Sequence, residues 1–203
     1  REYYDSTYTI AFQRFTAAGI ALTGKTKVYN STHQYEPAIA PTADGGFIIS
    51  WQQSSNIYAM PYAADNTQGS LITVSTASGA QNDPAIAILA NNDFMIVWDD
   101  EGANRLKGTL YSPSGEPRLS DIVLFPTMTT GSQREVNIMA QADGGFMVTG
   151  LANDQLVSQR FGHKGAPFGD PIIVDTDNTW PIAEHNQIDM LELDNNRYVI
   201  SWS

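Results

Sequence analysis

The chain has no cysteine. That excludes a disulfide framework, a thiolate zinc site and a cysteine nucleophile, and leaves the compartment open. Basic residues are scarce: 11 Lys and Arg stand against 22 Asp and Glu, for a net charge of −11. Binding to a phosphate backbone or an anionic membrane needs clustered Lys and Arg. Here they are scattered, so neither nucleic acid nor membrane insertion is expected. No apolar run approaches the ~18 residues of a membrane helix. No signal peptide is visible, and no segment sustains a helical period. The chain opens on Arg1-Glu2-Tyr3-Tyr4, already inside a repeat, as an excised or processed form would. Enzyme motifs are also missing: there is no Gly-x-Ser-x-Gly elbow, phosphate loop or His-Glu-x-x-His. His33, His163 and His185 form no metal-spaced cluster.

What is present is a fourfold repeat. Phe47-Ile48-Ile49-Ser50-Trp51 recurs as Phe94-Met95-Ile96-Val97-Trp98, Phe146-Met147-Val148-Thr149-Gly150 and Tyr198-Val199-Ile200-Ser201-Trp202. Each run follows a turn that begins with Asp or Asn: Asp44-Gly45, Asn91-Asn92, Asp143-Gly144 and Asn195-Asn196. That chemistry predicts two-residue type I′ hairpins, with positive φ at both central residues. Before each turn lies a segment such as Pro37-Ala38-Ile39-Ala40 or Pro84-Ala85-Ile86-Ala87, whose small residues suit a crowded axis. A third strand ends in Phe15, Tyr62, Tyr111 or Phe161. Four residues later comes Gly19, Asn66, Gly115 or Gly165, residue types that accept a left-handed turn position. A fourth strand follows.

Units of four short strands and about fifty residues are the mark of propeller blades. The expected fold is therefore all-β: a four-bladed propeller of four-stranded antiparallel blades forming one domain over residues 1–203. The blades are expected near 36–76, 83–127 and 135–176. A composite fourth would join 187–203 to 8–32, closing the ring by pairing strands from the two ends. That pairing would satisfy edge groups that otherwise invite aggregation. The rivals are an open piece of a longer array and two copies joined into an eight-bladed ring. A monomer is the first expectation and a dimer the second.

The pattern Asp-Gly-Gly-Phe-x-x-x-Trp followed by Gln-Arg-Phe-x-x-x-Gly resembles a repeat of large secreted bacterial proteins. These include RTX-type adhesins and hemolysin-like calcium-binding surface proteins. It stands here as Asp44-Gly45-Gly46-Phe47 with Trp51, Gln13-Arg14-Phe15 with Gly19, and Gln159-Arg160-Phe161 with Gly165. The resemblance implies an exported, surface-associated protein and no reaction. Two departures are Gly150 at a tryptophan position and the absence of the glycine-aspartate nonapeptide that binds calcium in RTX proteins. Calcium therefore does not carry over.

The repeated tryptophans Trp51, Trp98 and Trp202 read as core between blades. Ligands of propellers gather on loops. The fourth-to-first-strand loops here are 30–36, 76–83, 127–135 and 176–186. Non-repeating groups on and beside these loops are the candidate ligand-binding residues: Trp180, Tyr35, His33, His185, Glu184 and Gln52. An exposed Trp can stack on a sugar face or anchor a peptide. The acidic cluster Asp99-Asp100-Glu101 supplies the oxygen ligands that calcium takes, although its spacing matches no EF-hand. No cofactor is required by the sequence. The favoured function is a non-catalytic binding or adhesion module recognising glycan or cell-surface protein. The alternatives are a structural spacer and a carbohydrate-active enzyme with a carboxylate pair. Against the enzyme, the inner positions read as lacking matched acidic residues, Asp189 excepted.

Overall fold

The computed structural model describes residues 8–29, 33–128, 135–153, 155–175, 188–193 and 197–202. Among them are sixteen strands and no helix. Three complete units each form a four-stranded antiparallel meander. The first comprises β3 (Gln34–Pro41), β4 (Phe47–Gln53), β5 (Asn56–Tyr62) and β6 (Ile72–Ser75). The second comprises β7 (Gln81–Ile88), β8 (Phe94–Asp100), β9 (Arg105–Tyr111) and β10 (Pro117–Val123). The third comprises β11 (Val136–Ala140), β12 (Phe146–Ala152), β13 (Gln155–Phe161) and β14 (Ile172–Ile173). Flanking them are two-stranded sheets, β1 (Ala11–Phe12) with β2 (Thr26–Lys27), and β15 (Ile188–Glu192) with β16 (Tyr198–Trp202). The first strands β3, β7, β11 and β15 pack in succession, the arrangement of a propeller's inner ring.

Strand alternation explains the packing. Both faces of the second strand in each complete unit are buried, so its residues alternate between two neighbours rather than between core and water. In β4, Phe47, Ile49 and Trp51 face back onto Ile10, Phe12 and Val28. Ile48 faces forward into a cluster with Ile86, Phe94, Ile96 and Trp98. In β8, Met95 and Val97 face forward onto Val136, Phe146 and Val148. The expectation that Trp51 and Trp98 are core holds: both are fully buried. The first and last residues of the middle hairpin stack three times over. Ring centroids are 5.1 Å apart for Phe47–Tyr62, 4.9 Å for Phe94–Tyr111 and 5.1 Å for Phe146–Phe161. Gly150, the missing tryptophan, is filled from the unit before, because a Cβ there would lie 2.4 Å from Leu106 Cδ1.

Two expectations change. In the three complete units the first-to-second-strand hairpins are not type I′, since only their second residue is left-handed: Gly45 (φ 85°), Asn92 (64°) and Gly144 (90°); Asn195-Asn196 lies outside the described residues. The residue before it is Asp or Asn because its Oδ1 accepts the amide two positions on. The bonds are Gly46 N to Asp44 (3.1 Å), Asp93 N to Asn91 (3.1 Å) and Gly145 N to Asp143 (3.0 Å). The third-to-fourth-strand turns do carry positive φ at Gly19, Asn66, Gly115 and Gly165.

The second change concerns closure. Among the described residues no ladder joins β1–β2 to β15–β16; they form separate sheets at the two ends of the arc. The composite blade is not formed as one sheet. The N-terminal half packs on the first complete unit, where Tyr62 Oη donates to the Val28 carbonyl at 2.7 Å. The C-terminal half packs on the third through Leu151, Leu156, Ile188 and Ile200.

Candidate functional site

A cavity of about 540 Å³ lies where β3, β7, β11 and β15 converge, and all four contribute to its wall. Four carboxylate residues line it: Glu36, Asp83, Glu135 and Asp189. The first three are one repeat position: Glu36 and Asp83 lie near the start of β3 and β7, and Glu135 immediately precedes β11. They share one backbone conformation, with φ of 51°, 50° and 51°. A left-handed residue other than glycine costs of order 1–3 kcal/mol and persists only where its surroundings impose it.

The local cause is a bulge. The β3–β4 register slips between Tyr35 and Ala38, and the β7–β8 register slips between Asn82 and Ala85. The slipped residues are Glu36-Pro37 and Asp83-Pro84. Proline has no amide to give a ladder, so it suits a bulge, and a bulge re-aims the side chain beside it. The bulged units are linked: the Asp83 amide donates to Glu36 Oε2 at 2.8 Å. In the third unit the Glu135 carbonyl accepts from the Leu151 amide at 3.4 Å.

Thus the inner positions do carry matched acidic residues. The sequence reading missed them because Glu36, Asp83 and Glu135 sit one residue ahead of the apolar segments used to align the units. The signal was the recurring Glu-Pro-Ala-Ile-Ala and Asp-Pro-Ala-Ile-Ala.

No protein-family model matches the chain, and no curated protein matches it. The resemblance to RTX-type adhesins therefore finds no support there. Solved structures do match. A protein of unknown function from Dyadobacter fermentans superposes with a TM-score of 0.62 at 12% identity, over 100% of this chain and 66% of that one. One from Bacteroides caccae gives 0.55 at 13%, over 90% and 57%. The chain thus spans less than two thirds of either. It also shares its fold with a glycoside hydrolase. That structure is a family 43 β-1,3-galactosidase with galactodeoxynojirimycin, matched with a TM-score of 0.54 at 10% identity, over 91% of this chain and 70% of that one. Identities this low speak for the fold alone. The favoured expectation of a non-catalytic adhesion module is corrected on two grounds. The fold is shared with a glycosidase, and the acidic residues held to be lacking line the axis.

The sequence-predicted residues scatter. Tyr35 immediately precedes Glu36, is partly exposed, and has its ring 5.4 Å from that of Tyr8. His33 is exposed and left-handed (φ 63°). Gln52 lies opposite Tyr35 on β4, and its Nε2 donates to Asn82 Oδ1 at 2.8 Å, tying the first unit to the second. Trp180, Glu184 and His185 lie outside the described residues. Trp202, expected in the core, is 39% exposed.

Two residues of the acidic cluster are built into the framework, and the third, Glu101, is exposed on the turn after β8. Asp99 and Asp100 are buried on β8. Asp100 pairs with Lys107 Nζ at 2.9 Å and accepts from Gln81 Nε2 at 3.0 Å and the Ala103 amide at 2.9 Å. Burial alone would raise the Asp100 pKa. The Lys107, Gln81 and Ala103 donors outweigh it, and the net shift is downward. Among the described residues no group of three His, Cys, Asp or Glu is placed to hold a metal ion, and no helix is long and apolar enough to cross a membrane.

Proposed function

We propose that this chain acts on glycans at the axial cavity, as a glycoside hydrolase. The observation that carries the reading is the convergence of Glu36, Asp83, Glu135 and Asp189 from four units on one cavity. Glycoside hydrolysis needs two carboxyl groups across the scissile bond, one donating a proton and the other acting as base or nucleophile. Asp83 and Glu135 are the proposed pair, because they hold the same position in adjacent units, share one backbone conformation and both line the cavity, while Glu36 accepts the Asp83 amide. Glu36 then acts as a positioning residue. The shared fold with a β-1,3-galactosidase supports galactosides as the first substrates to try.

The test is hydrolysis of aryl glycosides and β-1,3-linked galactan by the purified chain. Asp83→Asn and Glu135→Gln should each lower the rate by about 10²–10⁴-fold, the usual contribution of a general acid or base. Their circular dichroism should be unchanged. A chain that releases no sugar from any substrate, or variants as active as the parent, would sink the reading.

A further inference from the structure

A glutamine stands two residues before each repeated acid: Gln34 before Glu36, Gln81 before Asp83 and Gln133 before Glu135. Gln133 lies outside the described residues. The other two are buried at the start of β3 and β7, yet they are used differently.

A glutamine amide can accept two hydrogen bonds and donate two. Gln81 makes all four. Its Oε1 accepts from Trp98 Nε1 at 2.8 Å and from Ser75 Oγ at 3.1 Å. Its Nε2 donates to Asp100 Oδ1 at 3.0 Å and to the Ala80 carbonyl at 3.2 Å. The side chain is fully buried, and Asp100 is itself held by Lys107. A fully satisfied buried network specifies one arrangement, so the Gln81 side chain is locked. At Gln34, Oε1 accepts the Ile10 amide at 2.9 Å, and Nε2 makes no hydrogen bond among the described residues. Trp51, the counterpart of Trp98, donates instead to Gln53 Oε1 at 3.2 Å. Gln53 lies opposite Gln34 as Asp100 lies opposite Gln81, and it takes the indole for itself.

The backbone around Gln81 is held as well. Its amide donates to the Ser55 carbonyl at 3.1 Å, and the Ala80 carbonyl accepts from the Glu101 amide at 3.0 Å. Gly79 and Gly102 meet backbone to backbone: a Cβ on Gly79 would lie 2.5 Å from the Gly102 Cα. Asn82 is tied to Gln52 and the Asp83 amide to Glu36. Each residue from 79 to 83 is thus fixed by a contact outside its own segment. Strand alternation would point residues 81 and 83 to the same face. The bulge at Asp83-Pro84 breaks that alternation, so Gln81 enters the buried network while Asp83 lines the axial cavity.

We propose that Gln81 is a positioning residue: its buried amide fixes the strand start from which the bulge aims Asp83 at the axial cavity. The inference rests on the carboxylate pair proposed above, and it gives a physical reason why Asp83 rather than Glu36 is fit for the chemistry. Placement matters there, because a shift of about 1 Å can cost on the order of 10²-fold in rate.

Gln81→Met keeps the length of the side chain and removes its hydrogen bonds. Gln81→Asn keeps the amide one methylene short. Two readouts need no substrate: exchange of the Asp83 amide and its HN–Hα coupling, both by NMR on the full chain. Asn66 is the internal reference, left-handed in an outer turn with its amide on the Ala63 carbonyl. In both variants the Asp83 amide should exchange about tenfold faster, roughly the net contribution of one hydrogen bond, while Asn66 keeps its rate. On a glycoside that the parent chain hydrolyses, kcat should fall about 10–10²-fold with KM nearly unchanged. An Asp83 that exchanges and couples as in the parent overturns the proposal. So does equal loosening of Asp83 and Asn66, which is a general loss of stability. A kcat that survives the loss of order at Asp83 also overturns it, as does failure of both variants to fold, which makes Gln81 a core residue alone. If the parent releases no sugar but Asp83 alone responds, the hydrolase reading falls and the hold of Gln81 on Asp83 stands.

Discussion

The carboxylate of Glu36 accepts the backbone amide of Asp83 at 2.8 Å, across the boundary between two units. The two residues occupy the same repeat position, so one unit's acidic residue holds the next unit's acidic residue in its left-handed conformation. The bond therefore stabilises the arc and shapes the axial cavity together.

Glu36→Ala removes that acceptor and should destabilise the chain by about 1 kcal/mol. This is below the ~1.5–3 kcal/mol of a hydrogen bond to a charged group, because Glu36 is exposed. Glu36→Gln keeps an oxygen and should cost less. Urea unfolding checks both. If Glu36→Ala leaves the midpoint where it was, the bond does not hold the units together.

The Asp100–Lys107 pair predicts a pH dependence. The Asp100 carboxyl titrates below its ordinary 3.8 in the folded chain. The unfolded state therefore binds the proton more readily. The stability that Asp100 contributes is complete above about pH 5 and falls away as pH drops through 3.8 and below. Lys107 is shifted upward because Asp121 and Asp100 outweigh the effect of its burial. Its contribution is complete below 10.5 and is lost above that value. Asp100→Asn should flatten the acid limb of a melting-temperature profile. Asp100→Ala should destabilise at neutral pH by less than the ~3–5 kcal/mol of a broken buried pair, because Lys107 keeps Asp121 as a partner at 2.9 Å.

Gly150 should not tolerate a side chain. A Cβ would meet Leu106 Cδ1 at 2.4 Å and the Glu135 carbonyl at 2.9 Å. Gly150→Ala should destabilise by about 1–3 kcal/mol through overpacking. Shortening Leu106 should recover part of that loss, so the double variant Gly150→Ala/Leu106→Val should be less destabilised than the sum of the singles. Strict additivity in thermal melts would show that the two side chains do not compete for the space.

Tyr111 should ionise last among the tyrosines in the described units. Burial pushes its phenol up to about 12, against a small opposing effect of Thr109. Tyr62 is shifted the same way by burial. The neutral phenol is favoured by folding, so the contribution is present below pH 10 and lost as pH rises from 10 towards 12. Absorbance titration at high pH should show a late step that disappears in Tyr111→Phe. That variant keeps the ring stacked on Phe94. A titration in which every phenol ionises near 10 would contradict this burial.

Much of the framework was legible in the residues. The Phe, Trp and Tyr phase located the second and third strands, because short apolar runs bounded by Asp, Asn and Gly turns are too short for buried helices. Gly19, Asn66, Gly115 and Gly165 marked the outer turns because a left-handed residue restricts composition sharply. The hairpin type was misjudged from the same kind of signal. Asp and Asn tolerate left-handed φ, but at positions 44, 91 and 143 they serve as acceptors for a neighbouring amide. Of the candidate site, Tyr35 fell beside the axis by adjacency alone, while Glu36, Asp83 and Glu135 passed unremarked. A glutamate or aspartate before proline looks like an ordinary solvated turn until the bulge beside it is seen.

The sequence by itself determined the unit: four short strands, their order, the residues buried on each face, and the residues that turn the corners. These are local matters, set by strand alternation and by which side chains permit positive φ. Tertiary structure alone decided how the units meet. The convergence of four carboxylate residues on one cavity and the separation of β1–β2 from β15–β16 depend on the angle between packed sheets. That angle comes from side chains interlocking across units far apart in the chain, and no short window of sequence encodes it.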